Sequence, residues 1–181
     1  MADTTNKLST QLRLLNELSF KLQSLVVADN VWEDIVTIVQ NKFHYHSFTI
    51  WSVAQDGTAT LRAQSGAYNK YLTVGFSMSK GDGIVGTVIQ NKRPYICNDV
   101  TKDERFTSLS FPVETKSQMS LPVIIDGNVA CVLTIESNQA NSFDEEDKVT
   151  FEALCGQLAV ALINTKLFSE IRSFNKKLQG T

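Results

Sequence analysis

Apolar residues recur at helical spacing at both ends of the chain and with a period of two in its middle. Leu8, Leu15 and Leu22 stand seven apart, and Leu18 and Leu25 occupy the complementary heptad position. The seam is short, and Gln11 interrupts it one heptad before Leu18. It therefore predicts an amphipathic helix with a face for a second helix rather than an extended coiled coil. Asn30 is positioned to cap a second helix, in which Trp32, Ile35, Val36, Val39 and Phe43 share one side.

The period then changes. "SFTIWSVAQDGTATLRAQ" reads as strand, Asp56-Gly57 turn and strand, and "LTVGFSMS" as a further strand. "GIVGTVIQNK" predicts a short helix closed by Arg93-Pro94, and "YICNDV" a short strand ending in an Asn98-Asp99 turn. Residues 101–116 are irregular and polar, and "SQMSLPVIIDGNVACVLTIES" is a second hairpin turning near Asp126-Gly127-Asn128. The last segment predicts one long helix, with Ser142 as N-cap, Glu145 completing a capping box and acidic residues through Asp147 at its positive end. Phe151, Leu154, Leu158, Ala161, Thr165 and Phe168 form its stripe, and Leu167, Ile171, Phe174 and Leu178 continue an apolar seam. Two hairpins make the sheet largely antiparallel and the class α+β.

Composition narrows the function. A chain of 181 residues suggests one domain with an added segment, and 43% hydrophobic residues suffice for a core. A net charge of −2 gives no basic field for nucleic acid or an anionic membrane. Cys97, Cys131 and Cys155 are odd in number, widely spaced and set in apolar runs, so they form neither a disulfide framework nor a zinc pair. The polar N-terminus is no signal peptide and no apolar run approaches a membrane span, which makes the cytoplasm the expected location.

Gly81, Gly83 and Gly86 spell G-x-G-x-x-G, with Asp99 further on. A dinucleotide site needs a buried parallel strand before such glycines and a βαβ unit after them. The segment before Lys80 alternates and hairpins follow, so the glycines read as a strand-to-helix turn, with Gly86 allowing the helix to approach the sheet.

Several motifs in order resemble the GAF domain family of small-molecule sensory modules. These are Gly81, Gly83, Gly86 and Val88; Arg93-Pro94 with Asn98-Asp99-Val100; Asp103, Arg105 and Phe106; Leu121-Pro122-Val123, Asp126-Gly127 and "VLTIES"; and Phe143 with Glu145, Glu146 and Asp147. The resemblance implies a GAF/PAS-like six-stranded antiparallel sheet with helices on both faces. It divides the chain into an N-terminal dimerisation helix (1–28), the domain (29–165) and a helical extension (166–181). The terminal helices cover one sheet face and pair with a second subunit through Leu8, Leu15, Leu18, Leu22, Leu25, Phe168 and Ile171. The glycine-loop helix and the irregular loop roof a ligand pocket on the other face.

The second hairpin supports that division from its residues. Met119, Leu121, Val123, Cys131, Leu133 and Ile135 alternate with Gln118, Ser120, Thr134 and Glu136. An odd loop count sets Gln118 near Glu136 and Ser120 near Thr134. The polar face so formed either meets water or lines a ligand site. With the resemblance, the candidate ligand residues are Trp51, Gly83, Ile84, Asp99, Arg105, Phe106, Ser117, Gln118, Ser120, Thr134 and Glu136. Asp99 also reads as turn chemistry, Arg105 as a partner of Asp103 or Glu104, and Trp51 as core.

Specialised chemistries of the family are poorly matched. The free methionine sulfoxide reductase branch has cysteines near the glycine loop and in the loop after it. Val85 takes the first position, and residues 107–116 hold none. Cyclic-nucleotide binders carry Lys where Gln139 stands and Glu where Lys148 stands, and no Cys-His pair is present for a bilin. His44 and His46 lack a third ligand for metal or haem. The sequence thus reads as a non-enzymatic, dimeric sensor of an unidentified small molecule, regulating a partner or an output domain into which the last helix continues. The alternatives are a cysteine-based reductase or a ligand-free dimerisation module.

Overall fold

A computed structural model describes residues 2–24, 31–107 and 114–179. Helices α1 (Ala2–Ser24) and α2 (Val31–Phe43) precede strands β1 (Ser47–Val53), β2 (Ala59–Gly66) and β3 (Ser77–Met78). Helix α3 (Gly83–Asn91) then leads to β4 (Tyr95–Cys97), β5 (Ser117–Ile125), β6 (Asn128–Ser137) and helix α4 (Glu145–Gln179). The six strands form one antiparallel sheet in the order β3-β2-β1-β6-β5-β4.

Strand alternation gives the sheet two differently built faces. Phe48, Ile50, Met119, Leu121, Leu133 and Ile135 point to one side, where they pack with Leu14 and Leu18 of α1, Ile35 and Val39 of α2, and Phe151, Leu154 and Leu158 of α4. A second, smaller core lies on the other side, where Ile84, Val85 and Val88 of α3 meet Trp51, Leu61, Tyr68, Leu72 and Val132.

The β5–β6 hairpin decides what the second face carries. Asp126 (φ 51°) and Gly127 (φ 74°) make a two-residue turn that sets Ile125 opposite Asn128. A bulge then shifts the register, so that Ile124 faces Val129 but Val123 faces Cys131. The expected odd loop count is thus met by an even turn plus one bulged residue. Downstream, Gln118 lies opposite Glu136 and Ser120 opposite Thr134. Without the bulge, Gln118 would face Ile135 and Ser120 would face Leu133, mixing the faces.

Several expectations change. Of "LTVGFSMS", only Ser77–Met78 is strand; Gly75 at φ 98° bends the chain in a turn closed by the Phe76 N–H on the Thr73 carbonyl. The box at the start of α4 is not Ser142 with Glu145. The Asp144 N–H donates to Asp147 Oδ2 and the Asp147 N–H to Asp144 Oδ1, both at 3.0 Å. Ser142 instead bonds Ser137 and the Gln139 carbonyl. Gly86 approaches the glycine loop rather than the sheet: a Cβ there would stand 2.3 Å from the Gly81 carbonyl carbon.

The leucines of α1 also divide differently. Leu14, Leu18 and Leu22 recur every fourth residue and are buried in the chain's own core, with Leu15 packed at its edge. Leu18, at 0% exposure, has no surface left for a second subunit, and Leu22 almost none. Leu8, Phe168 and Ile171 are exposed, while Leu25, like Asn30 and the 28/29 boundary, lies outside the described residues. Gln11, which interrupts the seam, is buried and donates to Asp147 at 3.3 Å, next to Lys7 Nζ at 3.0 Å from the same carboxylate.

By length and composition α4 is apolar enough to cross a membrane, contrary to the sequence-based expectation. Its first half, however, buries Phe151, Leu154 and Leu158 against the sheet.

Candidate functional site

Between the polar face of the sheet and α3 lies a cavity of about 50 Å³. Its floor is Thr49 and Trp51 from β1, Gln118 from β5, and Thr134 and Glu136 from β6. Gly83, Ile84 and Val85 at the start of α3 roof it, with Phe106 and Thr107 on one side and Tyr68, Leu72 and Met78 on the other. Gly83, at φ 65°, adopts a backbone conformation that glycine favours, and it starts the helix directly over the floor.

Buried polar groups here are hydrogen-bonded in two sets. The Gln118 amide donates to Ser120 Oγ at 3.0 Å, and the Ser120 and Thr134 hydroxyls lie 3.0 Å apart. Thr115 Oγ1 donates to Glu136 Oε2 at 2.6 Å, and Tyr68 Oη lies 3.4 Å from Thr115 Oγ1. Trp51 Nε1–H donates to Thr49 Oγ1 at 2.8 Å. Glu136 is only 8% exposed. Burial pushes its carboxyl up to about 7, against the smaller opposing pull of hydrogen bonds from Thr115 and Tyr68. The Tyr68 phenol is raised as well, by burial first and then by the charge of Glu136.

Of the residues singled out in the sequence, Trp51, Gly83, Ile84, Phe106, Gln118, Thr134 and Glu136 line this cavity. Ser120 sits beside it and holds Gln118 and Thr134. Three others lie elsewhere. Ser117 is on the opposite side of β5 and donates to the Gln139 carbonyl at 2.6 Å. Asp99 caps the turn Val100–Lys102, accepting from Thr101 and pairing with Lys102 at 2.9 Å, which lowers its carboxyl to about 2. Arg105 donates to Tyr95 Oη at 2.7 Å, pairs with Asp103 at 3.4 Å and stacks 5.2 Å from the Tyr95 ring centroid, engaged in its own loop. Asp99 and Arg105 stand with that loop because their partners Thr101, Lys102 and Asp103 lie in it and Tyr95 in β4 just before it.

Sequence reasoning did not single out Tyr68 or Thr115 for this site. Tyr68 falls in the short 3-10 turn Ala67–Lys70, and Thr115 precedes β5, so neither belongs to a periodic pattern. Their signal was available only as polar side chains next to strand ends.

The thiols are poor nucleophiles. Burial first, and then the charge of Asp103, pushes Cys97 up to about 11; burial pushes Cys131 up to about 12 and Cys155 well above its ordinary value. None of them lines the cavity. His44, at φ 51°, ends α2 with its N–H on the Gln40 carbonyl, and no group of three metal-binding side chains occurs among the described residues.

Comparison with known proteins gives a consistent frame. A model of the GAF domain family matches residues 27–163, well over half of the chain. The chain is 38% identical over 69 residues to GAF domain-containing protein A of Dictyostelium discoideum, a match covering 38% of this chain and 42% of that protein, so it spans less than half of this relative's length. Among solved structures, the GAF domain of an Acinetobacter phosphoenolpyruvate-protein phosphotransferase superposes with a TM-score of 0.75 at 22% identity, covering 88% of this chain and 97% of that one. Free methionine-R-sulfoxide reductase of Neisseria meningitidis, in complex with its substrate, superposes with a TM-score of 0.71 at 17% identity over 84% and 90% of the two chains. Likenesses at such identities carry the fold, and the chemistry has to be read from the residues of this chain.

Proposed function

The chain belongs to the GAF domain family, and from that premise we propose that it is a sensory domain taking a small molecule between the sheet and α3. The observation that carries this reading is the polar floor. Gln118, Thr134 and Glu136 are buried on the face away from the main core, around a cavity, rather than on a solvated surface. Trp51, Gly83, Ile84 and Phe106 complete the ligand contacts, and Ser120 orients the floor. Three buried, poorly nucleophilic thiols outside the cavity favour a regulatory rather than a reductase role, and free cysteines fit the cytoplasm.

Exposed Leu8, Phe168 and Ile171, joined by Leu12, Phe174 and Leu178, offer an apolar surface for a homodimer along α1 and α4. A ligand that shifts α3 against the sheet would bias the packing of these helices, and a partner or attached output domain would read the change.

A cavity of about 50 Å³ is well below the ~300 Å³ at which small-molecule pockets begin. That single observation favours a second reading, a dimerisation domain whose pocket is closed. Native mass spectrometry of freshly purified protein, followed by a thermal-shift screen, separates them. A co-purified compound, or stabilisation that Thr134→Val removes, supports the sensor; neither result supports the closed module.

A further inference from the structure

The charge of the occupant can be read from what surrounds it, on the premise that a small molecule does enter the cavity. Among the described residues, Glu136 is the one formally charged side chain lining that space, and no Lys, Arg or His lines it. Its hydrogen-bond donor, Thr115, and that donor's neighbour Tyr68 are neutral groups, so the carboxylate has hydrogen bonding but no counter-charge. A buried carboxylate without a counter-ion is costly, and a cation entering beside it removes that cost. The remaining walls suit a cation too. Trp51, Tyr68 and Phe106 line the space, and an aromatic ring offers a cation the negative charge of its face. The Trp51 N–H is already bonded to Thr49, which leaves the ring rather than a donor as its contribution.

We propose that the cavity is a site for a small organic cation, an alkylammonium or the ammonium end of a larger ligand, with Glu136 as its counter-ion and Trp51, Tyr68 and Phe106 as its aromatic wall. Carboxylates, nitrate and phosphate esters are disfavoured by the same chemistry, because they would bring a second negative charge to a site with no positive group. A space of about 50 Å³ seats a few heavy atoms, on the order of one or two water volumes. A longer ligand requires Gly83–Val85 or Phe106 to move.

The pairing has a pH signature. Among the described residues, Tyr68 is the only other titratable group lining the cavity; β1, β5, α3 and the 106–107 segment present none to Glu136. Burial leaves the empty site with a carboxyl near 7, and a bound cation pulls it down, releasing a proton. Cation affinity therefore rises with pH, levels off above about 7, and falls about tenfold for each pH unit below it.

The test uses the full chain with ethylammonium chloride as probe, ethanol as neutral isostere and sodium acetate as anion. Saturation-transfer NMR and tryptophan fluorescence follow binding from pH 5 to 8. Expected is ethylammonium binding at pH 8, about tenfold weaker at pH 6, with proton release in calorimetry and loss of binding in Glu136→Gln. Acetate or ethanol binding as well as ethylammonium, affinity that rises toward low pH, or no ethylammonium binding at all would overturn the proposal. A co-purified neutral or anionic compound would also overturn it while leaving the ligand-binding reading in place. The pH series on the parent chain decides the matter if Glu136→Gln fails to fold.

Discussion

Burial lifts the Glu136 carboxyl from an ordinary 4.5 to about 7, so between these pH values the folded chain holds a proton the unfolded chain has lost. Its contribution to stability is complete below about pH 4.5 and is lost as pH rises through 7. The difference corresponds to about 3 kcal/mol. Urea unfolding at pH 5 and pH 8 is expected to show the parent losing stability over this range, and Glu136→Gln losing about 2–3 kcal/mol less. Equal slopes for the two proteins would mean that Glu136 is solvated. Asp144 has the opposite sign. Lys7 at 2.7 Å and the Asp147 N–H hold its carboxyl at about 2, so its contribution is present above the ordinary carboxylate value and is lost as pH falls through 2.

The elements are set by close approaches that a single atom disrupts. At Gly86, α3 passes so near the glycine loop that an added Cβ would sit 2.3–2.8 Å from three backbone atoms of Gly81. Gly86→Ala gains up to about 1 kcal/mol of helix propensity. The clash outweighs it, and the variant is expected to lose about 2 kcal/mol by chemical denaturation, within the range of overpacked cores. Because α3 roofs the cavity, the proposed ligand binding is expected to weaken in the same variant. At the start of α4, Asp144→Ala removes one half of a reciprocal cap and should cost about 1 kcal/mol. Ser142→Ala, which leaves that box intact, should cost less in the same measurement.

In the whole molecule, α1 joins the core and reaches the surface in the same turns. Leu18 and Leu22 are core residues here, so Leu18→Glu is expected to unfold the domain and says nothing about subunits. Phe168 and Ile171 are 50% and 55% exposed on the part of α4 beyond the sheet. The proposed dimer predicts that the parent sediments as a dimer and that the double variant Phe168→Glu, Ile171→Glu sediments as a monomer with an unchanged near-ultraviolet spectrum. A parent that sediments as a monomer at micromolar concentration would remove the dimer from the mechanism.

The period of the apolar residues determined the class, the strands β1, β2, β5 and β6, and the division of the second hairpin into an apolar and a polar side, because alternation follows directly from the geometry of an extended chain. The same pattern placed Gln118, Ser120, Thr134 and Glu136 together. It did not decide whether they met water, since burial depends on what packs above the sheet. Heptad spacing likewise left open which leucines of α1 face the chain's own core, because a helix offers the same stripe to an internal and an external partner. The tertiary structure chose the turn and loop-pairing readings of Asp99 and Arg105 over their ligand readings, brought Tyr68 and Thr115 to Glu136 from segments with no period, and met the odd loop count with a bulge. Tyr68, Thr115 and Glu136 meet across long stretches of sequence, and the Asp99 and Arg105 contacts and the bulge, though local, follow no period, so periodicity carries no information about any of them.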